Sequence, residues 1–163
     1  MVEKDPAAQR LAHARLVLAA AEENVGLASR TLIGDGRTGA SGGAFHISPD
    51  RAELMAAAIE GLPACGWAGF VGLRDIGWEA AHERGLDLSH TLIVEEPGSH
   101  AAQICALLLE TLDLVCVEST LITPTQQRRL SVRAHMHRHT LITTVPWPGI
   151  SHPWRSARLI RAV

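Results

Sequence analysis

Between residues 45 and 145 the chain alternates short apolar runs with amphipathic stretches, and this alternation restricts the fold more than any other feature. Residues 45–48, 67–73, 91–95, 114–117 and 140–145 read as strands, and 50–62, 76–84, 99–112 and 124–137 as helices. A run such as Leu114-Val115-Cys116-Val117 has no polar alternate position, so both faces of its sheet must be covered. Strands in turn with helices predict the α/β class, with a mostly parallel sheet flanked by helices and right-handed crossovers. Gly85 is placed to end the second of these helices. Ile104, Leu107, Leu108 and Leu112 form the stripe expected to face the sheet, and Pro146, Pro148 and Pro153 are expected to end regular structure.

Upstream, Asp5-Pro6 is a good helix start, with Asp as N-cap and Pro in the first turn. Leu11, Leu18 and Val25 then recur at heptad spacing among alanines, giving a narrow apolar seam. The expected organisation is an N-terminal helical arm (1–33), a Gly-rich linker (34–43), a core (43–147) and a basic Pro/Trp tail (148–163).

The junction after the first core strand is short. Ser48 is followed at once by Pro49-Asp50-Arg51, which opens a helix. A nucleoside-triphosphate site would place G-x-x-x-x-G-K-[S/T] there, with backbone N–H groups cradling phosphates and a lysine reaching them. No lysine occurs after Lys4. The glycines between 34 and 43 precede a strand instead of following one, so they read as linker.

Net charge is only −2, but residues 1–118 carry −9 and residues 119–163 carry +7. Arg128, Arg129, Arg133, Arg138, Arg155, Arg158 and Arg161 supply all of the latter, with no Asp or Glu beyond Glu118. Such a dipole predicts that the C-terminal third meets something acidic, nucleic acid or protein. Cys65, Cys105 and Cys116 have no metal-ligand spacing, and no apolar run reaches the length of a membrane span. A reducing, cytoplasmic setting is therefore expected, with no membrane partner.

Gly69-Phe70-Val71, the segment Glu83-Arg84-Gly85-Leu86-Asp87-Leu88, the strand Thr91-Leu92-Ile93-Val94, and Asp113-Leu114-Val115-Cys116-Val117-Glu118-Ser119 together resemble the ordered core segments of RecA, the last being similar to its Walker B strand. The resemblance spans about residues 43–147 and implies a degenerate RecA-like fold lacking the phosphate loop. It places Glu118 where a metal-linked Asp would stand and leaves Asp75 as an offset substitute for the catalytic glutamate. A lone carboxylate without the cradle does not hold Mg·ATP. The expectation is no ATPase activity, no cofactor and no metal.

His135, His137 and His139 could share a face on a strand, but on a helix end they splay and interact with the helix dipole instead, which is the preferred reading. Ser119 lacks a nucleophile elbow, and Cys65 lacks an electropositive setting. Trp147 is expected to cap the sheet, whereas Trp154 with its neighbouring arginines is preferred as an interface.

Shortened, ATP-less RecA-like chains resemble the ImuA-type accessory proteins of bacterial mutagenic repair, in their actinobacterial form. That resemblance implies a non-enzymatic adaptor in DNA-damage-induced translesion synthesis (the SOS response), nucleoid-associated during damage. The implied partners are an inactive Y-family polymerase homologue, an error-prone replicative-type DNA polymerase and RecA. Leu11, Leu18, Val25, Trp154, Arg155, Arg158 and Arg161 are the expected partner-binding residues. Arg128, Arg129, Arg133 and Arg138 are the expected DNA-binding ones. The alternatives are a SulA-type division inhibitor binding the tubulin-like division protein, a DNA-binding protein, and a residual nucleotide-binding protein.

Overall fold

Ten elements follow the expected alternation in a computed structural model that describes residues 42–156. They are β1 (Gly43–His46), α1 (Arg51–Gly61), β2 (Ala68–Val71), α2 (Trp78–Glu83), β3 (Thr91–Val94), α3 (Ala101–Thr111), β4 (Leu114–Val117), α4 (Pro124–His137), β5 (Thr140–Thr143) and β6 (His152–Pro153). The strands form one sheet in the order β3-β2-β4-β5-β1-β6, and every pairing is parallel.

The register explains why β2, β4 and β5 are buried at every position. Phe70, Cys116 and Ile142 are aligned across β2, β4 and β5, and their side chains join a core with Leu54, Met55 and Ala58 of α1 and Ala81 of α2. One register step away, Val115 and Leu141 align with Ala44 of β1 and join Cys105 and Leu109 of α3 and Leu130 and Ala134 of α4 on the opposite face. Successive strand residues point to opposite faces, so two covered faces demand two apolar sets. Each large side chain so buried contributes about 1.5–3 kcal/mol.

Local signals fix the helix ends. The α2 end carries Gly85 at φ 106, with Leu86 N–H bonded to Ala81 carbonyl and Gly85 N–H to His82 carbonyl, the left-handed stop that glycine adopts without strain. Thr123 and Gln126 form a capping box ahead of α4, and Pro124 occupies its first turn.

Two expectations need correction. Of the expected α3 stripe, Ile104, Leu108 and Leu112 pack on the core, but Leu107 is 58 % exposed, and Ala101, Cys105 and Leu109 are the other buried positions. Regular structure also does not end at Pro146. A turn at Trp147–Ser151, in which Ser151 Oγ accepts from Trp147 N–H at 2.8 Å, returns the chain so that His152–Pro153 adds to β1 as an edge strand. Proline is tolerated there because an edge strand leaves one row of N–H groups unused.

Candidate functional site

Ligands of open α/β sheets bind outside the carboxyl ends of the strands, so the β1–α1 junction, the loop after β2 and the end of β4 are the places to look. Asp50 is the N-cap of α1, and its carboxylate accepts from Ala52 and Glu53 N–H, both at 2.9 Å. Ser48 Oγ accepts from Asp50 N–H at 3.3 Å. A helix N-terminus attracts anions through these same N–H groups; in this chain its own carboxylate takes them.

Arg51 follows and crosses the sheet edge. Its Nε donates to Arg74 carbonyl, after β2, at 3.1 Å. Its Nη2 donates to Glu118 Oε2, at the end of β4, at 3.2 Å. Its Nη1 is buried with no hydrogen-bond partner among the described residues. The other Glu118 oxygen accepts from Thr144 Oγ1 at 2.6 Å. Ser119 N–H donates to Thr144 Oγ1 at 3.2 Å, and Val145 N–H to Ser119 Oγ at 3.0 Å. Both oxygens of Glu118 and the hydroxyl of Ser119 thus have partners within the chain. Together they tie the ends of β4 and β5 to the start of α1 and the loop after β2.

Asp75 is exposed in a left-handed conformation (φ 58), and among the described residues no hydrogen bond joins it to Glu118. No group of three His, Cys, Asp or Glu among the described residues is arranged to hold a metal ion. His135 and His137 lie exposed on the last turn of α4, and His139 stacks on His137 with ring centroids 5.9 Å apart, its Nδ1 lying 2.7 Å from Leu109 carbonyl. Burial pushes the Cys105 thiol up to about 12 and the Cys116 thiol higher still, so neither is a thiolate near neutrality. Cys65 is exposed.

The basic residues divide into tied and untied groups. Arg133 of α4 pairs with Glu110 of α3 and donates to Ala106 carbonyl at 3.4 Å. Arg138 is the left-handed C-cap of α4 (φ 56). Arg128 and Arg129 are exposed and have no carboxylate partner among the described residues. They border an open groove of about 500 Å³ together with Glu110, Val132, Arg133 and Met136.

Both tryptophans of the tail are used internally. Trp147 is 1 % exposed in the α3–α4 core. Trp154 stands edge-on to Phe45, with ring centroids 5.5 Å apart, and donates from Nε1 to Glu60 Oε2 at 3.4 Å. Gly61 makes room for it, since a Cβ there would lie 2.7 Å from the ring. Trp154 thus packs on its own chain, and the preferred interface role would have to act through the part of the ring left accessible. Arg155 is exposed. Arg158, Arg161, Leu11, Leu18 and Val25 lie outside the described residues.

Sequence reasoning missed Arg51 and Thr144. The available signal was an arginine directly after an N-cap Asp, with Glu118 at a later strand end, but only the fold brings positions 67 residues apart together.

The comparisons follow this geometry. A family model described as the MT3502 N-terminal domain matches residues 31–149. The uncharacterized protein Rv3395c of Mycobacterium tuberculosis (strain ATCC 25618 / H37Rv) is 32 % identical over 108 residues, which cover 64 % of this chain and 53 % of that protein. The chain thus spans about half the length of the curated relative it matches. The crystal structure of SulA from Pseudomonas aeruginosa superposes with a TM-score of 0.51 at 14 % identity, over 63 % of this chain and 96 % of that one. That likeness is one of fold.

Proposed function

The chain belongs to the MT3502 N-terminal domain family, and we propose that it acts as a non-catalytic, RecA-like adaptor in DNA-damage-induced translesion synthesis. The observation that carries this reading is the self-occupied sheet edge. Asp50 takes the helix N–H groups that would cradle a phosphate, and Arg51 pairs with Glu118, the carboxylate that the resemblance to RecA would set beside a metal. Phosphoryl transfer needs positioned donors and free charge; occupation of the helix N–H groups by Asp50 and the pairing of Arg51 with Glu118 support a non-catalytic reading. Its work then falls to its surface. The resemblance to ImuA-type accessory proteins supplies the partners: an inactive Y-family polymerase homologue, a replicative-type error-prone polymerase, and RecA.

Two measurements test it. Titration calorimetry with Mg·ATP is expected to give no heat of binding, and a micromolar dissociation constant would defeat the reading. A pull-down is expected to recover the Y-family homologue with the full chain, and deletion of residues 148–163 measures how much the tail contributes.

The similarity to SulA, which extends over nearly all of that chain, favours a second reading as a division inhibitor. Overproduction would then make cells filament; cells that keep dividing at normal length would remove it. Direct DNA binding by Arg128 and Arg129 is compatible with the adaptor reading, and its affinity would fall steeply with salt.

A further inference from the structure

We propose that the groove beside α4 docks an acidic amphipathic helix from a partner protein. On α4, positions 128, 132 and 136 follow one another at four-residue spacing and lie on one face. The face therefore carries Arg128, Val132 and Met136, with Arg129 and Arg133 on the adjoining row. Val132 is 59 % exposed and Met136 76 %, the most exposed large apolar side chains among the described residues. All of these residues border the same 500 Å³ groove as Glu110 of α3.

The chemistry selects the occupant. Glu110 and Arg133 already neutralise each other, so the fixed charge left in the groove is that of Arg128 and Arg129, with His137 beside them, and it is positive. Exposed apolar side chains interleaved with arginines match the composition of protein interfaces, in which methionine and arginine are enriched. Methionine adapts to a partner's shape. A helix laid in a groove presents anchors at i, i+3, i+4 and i+7, matching the repeat that α4 offers. Nucleic acid fits less well. A phosphate backbone rewards unpaired cations, yet one of the groove's three arginines is already paired and Val132 and Met136 of its lining are apolar. The inference rests on the adaptor reading only in placing the molecule's work on its surface.

The test uses the full chain and a designed, fluorescently labelled 15-residue peptide, with leucines at helical three- and four-residue spacing and glutamates elsewhere. Anisotropy is expected to show micromolar binding. The double substitution Val132→Glu/Met136→Glu, and separately Arg128→Glu/Arg129→Glu, should each weaken it at least tenfold, with unchanged circular dichroism melts. A peptide with lysine in place of glutamate should also bind at least tenfold more weakly. Peptide affinity that is absent, or indifferent to both double substitutions, overturns the proposal. So does a 20-base-pair DNA duplex that loses affinity in those variants and displaces the peptide. No polymerase enters this assay, so the groove can fail while the pull-down succeeds, and the reverse.

Discussion

The carboxyl edge of the sheet and the outer face of α4 both carry arginine, but they use it in opposite ways. At the sheet edge Arg51 is half-buried and spent internally, on Glu118 and on the Arg74 carbonyl. On α4, Arg128 and Arg129 point to solvent beside exposed Val132 and Met136. The difference is one of desolvation. A charge partly removed from water needs a partner, and the fold supplies one; a charge left in water keeps its capacity to meet something else.

The largest expected effect breaks the tie. Glu118→Ala leaves Arg51 without its carboxylate and should cost about 2–3 kcal/mol, read as a lower urea midpoint. Arg51→Met/Glu118→Leu removes both charges and should recover most of that loss; if the double variant is no better than the single, the pair is not the origin of the cost. Next is Asp50→Ala, which removes the N-cap and should cost about 1 kcal/mol. It also frees the Ala52 and Glu53 N–H groups, so any gain in affinity for inorganic phosphate would sharpen the contrast.

On the open side, Arg128→Gln/Arg129→Gln should change stability by less than about 0.5 kcal/mol, because these side chains tie nothing down. A larger loss would mean that the face is less free than it stands. The smallest effect concerns an exposed cap elsewhere. Hydrogen bonds from Ser89, then His90, lower the Asp87 carboxyl from 3.8 to about 2. Its folded value is depressed, so its contribution is present above pH 3.8 and is lost as pH falls through about 2. Asp87→Asn should flatten the acid limb of a stability–pH curve in that window, lower stability slightly above pH 3.8, and converge with the parent curve as pH falls below about 2.

The legible parts of the molecule were those with strong local signals. The β4 run and the α4 helix appear with the bounds read from the chain, because a continuous apolar run and a Thr-Pro start leave little choice. The α3 stripe was legible in part: Ile104, Leu108 and Leu112 pack on the core, Leu107 does not, and the buried Ala101 and Cys105 are too small to stand out by hydrophobicity. Strand β6 left no trace, because two residues, His and Pro, carry no periodicity.

The missing phosphate loop was visible in the letters: a strand end, then Pro49-Asp50, with no glycine-lysine between them. That absence, the parallel α/β class and the lopsided charge were settled by sequence alone, because each depends on residue types and on neighbours a few positions apart. Which charges are spent and which are left over was decided only by the tertiary structure. Arg51 reaches Glu118, and Arg133 reaches Glu110, across packed elements. Such pairings depend on distances that exist only once the sheet has closed and the helices have settled on it.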